Sequence, residues 1–331
     1  MVTTSERAAA LRREIEASDT RVTWRTPDDL ARRSIEAMAA YSGAPRLVSR
    51  GTLHLTGEGV VGASAPMDHV AQVMAAFQRL VTAWGAALEG VKSLRGAFSV
   101  GIQAKTRLRL VAGIAPGSVV LNLTPDLPPA DELTPGGQAV LFGQPVSQRL
   151  DQVLEEVSAV VREAAAVGPD AGDSELVAKL ADRGPRAASC LRSFGDQLAQ
   201  GRFDLDLEWA EPNRPTYRGS ITASQAGHLA KVITGRDLDQ GEVVITGVLH
   251  TVSDAGVPWE VEAAGQRFRV KRGTVTAETV RAARPGVGDT VTITAQMSLK
   301  DGPGGEKVEY RATAVEVVGE DTPHGIVERG N

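Results

Sequence analysis

Three sets of residues have the types and spacing to do chemistry. The run Gly57-Glu58-Gly59-Val60-Val61-Gly62 reproduces the dinucleotide-binding spacing, in which Gly57, Gly59 and Gly62 would let a pyrophosphate approach the backbone. That fingerprint works when a helix starts inside the glycine motif and aims its first amides at the phosphate. Here Ala65-Pro66 delays the helix beyond the third glycine, and segment 52–55 alternates like a strand with one wet face. No acidic residue closes the next strand, which runs out at Gln103-Ala104-Lys105. Each departure removes one part of the mechanism, so the stretch reads as a loop.

Asp204, Asp206 and Glu208 alternate with Phe203, Leu205, Leu207 and Trp209, which puts three carboxylates on one face of a strand. Such a set could hold Ca²⁺ or Mg²⁺ or serve acid/base chemistry. Residues two apart on a strand are about 7 Å from each other, too far to share one ion without loop oxygens. The competing reading is the solvated face of an edge strand, whose charge discourages edge-to-edge pairing.

The third set lies near the C-terminus, where Arg267, Arg269 and Lys271 alternate with Phe268 and Val270, and Trp259 and Tyr310 fall on neighbouring strands. Aromatic platforms beside a basic groove bind single-stranded nucleic acid. Against this, residues 241–318 hold nine basic and ten acidic residues, whereas nucleic-acid domains are clearly basic. The alternative places the aromatics in the core and the basic face in water.

Other motifs do not add a site. The five histidines, His54, His69, His228, His250 and His324, show no metal-ligand spacing. No Gly-x-Ser-x-Gly elbow and no phosphate loop ending in Gly-Lys-Ser/Thr occur. The single cysteine, Cys190, sits in the run Cys190-Leu191-Arg192-Ser193-Phe194 and reads as a small buried hydrophobe. No cofactor is expected.

The elements that must position these residues follow from periodicity. Residues 241–318 show strand alternation in five short runs, joined by Gly-, Pro- and Asp-rich turns and interrupted by one helix at 276–283. A small closed β-barrel, OB-like or SH3-like, removes the exposed edges of such a sheet. Residues 43–234 read as an α+β domain, a mixed or antiparallel sheet with packed helices. Its strands are expected at 52–56, 97–102, 107–112 and 118–124, with a hairpin of 203–209 and 216–221. Its helices are expected at 67–88, 146–166, 174–200 with a break at Gly184-Pro185, and 224–233. Residues 125–145 read as a linker and 319–331 as a polar tail.

Residues 1–42 carry a helix, a short strand and a second helix, too little to enclose a core alone. The run Arg21-Val22-Thr23-Trp24-Arg25-Thr26-Pro27-Asp28-Asp29-Leu30, with the helix to residue 41, resembles the closing strand and helix of bacterial TIR-like sensor domains. Those are doubly wound α/β modules of defence and signalling proteins. None of that family's catalytic positions has a counterpart in this sequence, so the resemblance implies a sensing or accessory role.

Charge and hydropathy bound the rest. With 36 basic and 41 acidic residues the chain has a net charge of −5, which gives no global attraction to a polyanion. No stretch approaches the roughly 20 apolar residues of a membrane span, so a cytoplasmic protein without membrane contact is expected. The abundance of Arg, Ala, Gly and Val fits a GC-rich bacterial genome. The functional expectation is a non-catalytic binding, sensing or accessory protein with a protein partner or a homo-oligomeric state. The alternatives are single-stranded nucleic-acid binding through the barrel, and a nucleotide-using enzyme built on the Gly57–Gly62 loop.

Overall fold

The computed structural model describes residues 48–111, 118–127, 148–166, 174–212, 214–253, 257–302, 305–319 and 322–329. The N-terminal helix–strand–helix reading, the TIR-like run at 21–41 and most of the 125–145 linker lie outside the described residues. The described residues of 48–211 and 215–329 form one compact unit with two hydrophobic cores. The fold is α+β with a C-terminal small β-barrel.

The first core lies between a sheet and a layer of helices. The strands are β1 (Arg50–Thr56), β2 (Leu108–Val111), β3 (Val119–Pro125), β4 (Asp204–Ala210) and β5 (Tyr217–Ile221), in the order β2-β3-β1-β4-β5. All neighbours are antiparallel. Leu53, Leu55, Leu205, Leu207 and Trp209 face the helices, and the alternate residues face away. Such alternation is what a sheet with one covered face requires.

The helices are α1 (Met67–Leu88), α2 (Val100–Thr106), α3 (Arg149–Ala166), α4 (Ser174–Arg183), α5 (Pro185–Gly201) and α6 (Ala223–Gly235). The last two turns of α1 are buried on all sides, with Leu80, Val81 and Trp84 fully enclosed. Helix α3 supplies the polar anchors of this core: Trp84 Nε1 donates to Glu156 Oε2 (2.8 Å) and Trp209 Nε1 to Asp151 Oδ1 (2.8 Å). Both indoles are buried, and a buried N–H left without an acceptor costs about 1–3 kcal/mol. Arg183 closes a bidentate pair on Glu156 at 2.9 and 3.0 Å. Gly184, at φ +86°, and Pro185 separate α4 from α5 at the break the sequence marks. Cys190 is buried in α5 as a small apolar side chain.

Three expectations are corrected. Segment 97–102, expected as a strand, leads into α2, where Ser99 caps the helix by accepting from the Ile102 amide. Only Ile102 and Thr106 of α2 are buried, and that i,i+4 spacing is a helical face. Strand β4 is not an edge strand, since β1 and β5 flank it. The polar tail contains β11 (Gly325–Arg329), which pairs with the barrel.

The barrel consists of β6 (Gln240–Thr251), β7 (Trp259–Ala263), β8 (Gln266–Lys271), β9 (Thr290–Gly302) and β10 (Gly305–Val317), with helix α7 (Ala277–Ala283) between β8 and β9. The strand order is β6-β7-β8-β10-β9, and a β6–β9 pairing closes the ring. Strands β8 and β10 run parallel, all other neighbours antiparallel. A parallel closure with a helix after the third strand is an OB-type arrangement, which resolves the OB-or-SH3 alternative. Trp259, Val261, Val270, Val291, Ile293 and Ala295 fill the interior.

Segment 91–98 of the α+β half joins the two cores. Leu94 is 1% exposed and belongs to the barrel's core, not to its own sheet's. Next to it in sequence, the Arg95 guanidinium lies 5.5 Å from the centroid of the Phe268 ring. Among the described residues, no helix is long and apolar enough to cross a membrane.

Candidate functional site

The structure separates the six residues that sequence spacing groups as a nucleic-acid platform. Trp259 and Phe268 point into the barrel, 1% and 5% exposed, and the Trp259 indole donates to the Ser253 carbonyl (2.9 Å). Tyr310 packs edge-on against Phe268, with ring centroids 5.7 Å apart. Burial pushes the Tyr310 hydroxyl above its usual range, partly offset by the charge and hydrogen bond of Arg95. Trp259 and Phe268 are core groups and cannot stack on bases, and Tyr310 is half-buried against them. Arg267, Arg269 and Lys271 lie on the opposite, outer face of β8.

On that outer face the three β8 cations and Arg311 of β10 each have a carboxylate partner. Arg269 Nε donates to Glu260 Oε1 (2.9 Å), and Arg267 Nε lies 3.6 Å from Glu262 Oε2. Lys271 Nζ (2.6 Å) and Arg311 Nε (2.7 Å) both donate to Glu309. His250 Nε2 also lies 3.0 Å from Glu262 Oε2. Glu309 is accordingly held below the usual carboxylate range, chiefly by the Lys271 hydrogen bond and further by Arg311, against its burial.

Exposure decides what this lattice offers to solvent. The side chains of Arg269, Arg267, Lys271 and Arg311 are 79, 65, 54 and 52% exposed. Their partners Glu260, Glu262 and Glu309 are 27, 44 and 16% exposed. Each cation is more exposed than the carboxylate it pairs with, four cations against three carboxylates. An exposed ion pair contributes only about 0–1 kcal/mol, so stability alone gives little reason for the arrangement. It places the cations of β8 and β10 together on one outer face, beside the carboxylates of β7 and β10.

The partner residues were legible in principle. Ala264 (φ +49°) and Gly265 (φ +71°) form a two-residue turn with both residues at positive φ, which fixes the hairpin register. That register sets Glu260 opposite Arg269 and Glu262 opposite Arg267. A charge count over the whole module conceals this difference in exposure.

The other two candidate sets are placed differently. Asp204 Oδ1 accepts from the Ala223 amide (2.8 Å) at the start of α6. Asp206 Oδ2 lies 3.7 Å from His54 Nδ1, and Glu208 accepts from Arg218 Nη2 (3.0 Å). Among the described residues, no three His, Cys, Asp or Glu side chains converge as a metal would require. Across the strands the order is His54, Asp206, Ser220, with the carboxylate in the middle. A nucleophilic relay needs the imidazole between hydroxyl and carboxylate, so this row is not one.

The glycine run is a packed turn. Gly57 (φ +91°) begins it, and the Gly59 amide donates to the Arg202 carbonyl at 3.0 Å, leaving that donor engaged. A Cβ on Gly59 would collide with the Gly201 carbonyl and the Phe203 ring, which is why glycine stands there. Gly62 (φ +62°) turns the chain beyond it, and α1 starts only after Pro66. Comparison with protein-family models, with curated proteins and with solved structures found no match to this chain.

Proposed function

We propose that this chain is a non-catalytic binding protein whose contact surface is the outer face of the barrel. The observation that carries the reading is the lattice on β7, β8 and β10, in which Arg267, Arg269, Lys271 and Arg311 are each more exposed than the carboxylates they pair with. Its partner is an acidic segment of another protein, for which arginine forks supply bidentate recognition. The resemblance of residues 21–41 to TIR-like sensor domains suggests the setting, an accessory or sensing part of a bacterial defence or signalling system.

A second reading is favoured by the barrel type. The same four cations could contact the phosphates of single-stranded nucleic acid without stacking on Trp259 or Phe268, which are inside. Fluorescence anisotropy separates the two, with labelled poly-glutamate and labelled oligothymidylate titrated against the purified chain at 50 and 200 mM salt. Binding of the acidic polypeptide supports the first reading, and binding of the oligonucleotide alone supports the second. Binding of neither contradicts both, and so does turnover of a nucleotide that is abolished by altering Asp204, Asp206 or Glu208.

A further inference from the structure

The barrel is closed without β11. Strand β6 pairs with β9 through residues 240–248 on one edge. On the other edge β7 reaches only residues 248–251, leaving residues 242–246 open. Strand β11 occupies that stretch, with Ile326 opposite Ile245 and Glu328 opposite Val243.

What holds β11 there is limited and specific. No described side chain of β11 is buried: Ile326 is half-buried against the barrel core and Val327 is 62% exposed. The polar anchor is Glu328, whose Oε1 accepts from Ser93 Oγ (2.9 Å) and lies 3.9 Å from Arg95 Nε. Ser93 and Arg95 belong to segment 91–98 of the α+β half, whose Leu94 is locked into the barrel core. The receptor for the carboxylate is therefore fixed while its occupant hangs on a backbone ladder, one apolar contact and one ion pair.

We infer that the open edge of β6, together with Ser93 and Arg95, is a strand-binding groove that the chain's own C-terminal strand fills in cis. Its ligand class is an extended peptide that adds antiparallel to residues 242–246. Such a peptide carries a branched apolar residue where Ile326 sits and an acidic residue two positions later. Backbone hydrogen bonds supply affinity and the two side-chain positions supply selectivity, as in strand addition generally. A partner bearing this pattern displaces β11, which then acts as a built-in competitor. The groove is separate from the cation lattice on β7, β8 and β10 and does not depend on it.

The test uses the full chain with a protease recognition sequence introduced between Val318 and Thr322, so that the tail can be cut while still bound. The probe is a fluorescein-labelled peptide with the sequence of residues 322–331. A short tether gives an effective concentration near the millimolar range, so the cut protein binds the peptide at least about 50-fold more tightly than the uncut protein. The peptide bearing Glu328→Ala binds the cut protein about tenfold more weakly, from loss of a charged hydrogen bond. In the uncut chain, Glu328→Ala raises the apparent affinity for the wild-type peptide. The inference is overturned if the cut protein binds no peptide, if it binds both peptides equally, or if cutting leaves affinity unchanged.

Discussion

Leu94→Ala probes the joint on which the rigid presentation of the barrel depends. Leu94 is 1% exposed, packs in the barrel core and comes within 3.5 Å of where a side chain at Gly241 would begin. Truncation removes three carbons, about 2.4 kcal/mol at about 0.8 kcal/mol for each, and the cavity left behind brings the loss to about 3 kcal/mol. That is about 100-fold in population. Because the side chain belongs to one half and its surroundings to the other, the loss falls on their docking. Native-state hydrogen exchange should show faster exchange in β6 and β9, with β1 and β4 unchanged, and urea unfolding should lose its single transition. A loss under about 1 kcal/mol, or an equal rise in exchange in both sheets, would refute the view that Leu94 joins two cores.

Other expectations follow from particular contacts. Trp209→Phe keeps most of the apolar volume but removes the indole donor to Asp151, and urea denaturation should show a loss of about 1.5–3 kcal/mol. Gly59→Ala drives a methyl group into the Gly201 carbonyl and should destabilise by about 1–3 kcal/mol in a thermal melt, with or without nucleotide present. A nucleotide that stabilises the wild-type chain but not this variant would instead restore the phosphate-loop reading. Glu309 has a depressed folded-state pKa, so its contribution is fully present above the unfolded glutamate value of about 4.3 and disappears as pH falls through the folded value. Glu309→Gln should therefore lower stability at pH 6 and converge on the wild type as the pH falls through the folded value of Glu309, followed by denaturant midpoints at descending pH.

Why some of this was legible and some not is visible at particular residues. Alternation at 203–209 and 259–270 and the 3.6-residue stripe at 67–88 reflect burial of one face, which is a local property, and they reappear as β4, β7, β8 and α1. Segment 97–102 misleads because Ala97, Phe98 and Val100 resemble a strand, while the deciding contact is a single cap at Ser99. The place of β4 inside the sheet depends on pairing with β1, about 150 residues earlier, which alternation does not encode. The carboxylates of β4 thus face solvent from an inner strand. At the barrel, spacing put Arg267, Arg269 and Lys271 on one side of β8 and Phe268 on the other, and the reading with the aromatics in the core holds for Trp259 and Phe268. Leu94 and Glu328 carried no local signal, because each matters only through a partner distant in the chain.

The most direct test of the contact surface compares the wild-type chain with Arg267→Glu/Arg269→Glu in binding whichever anionic probe it takes, as a function of salt. For a single-stranded oligonucleotide, four engaged cations predict a slope of log K against log salt of about −2.8, falling to about −1.4 or less in the double variant. For an acidic polypeptide the account predicts a loss of at least about tenfold at 100 mM salt, from removal of two charged contacts. Unchanged affinity and unchanged salt dependence in a variant that melts like the wild type would contradict the assignment of this face as the binding surface.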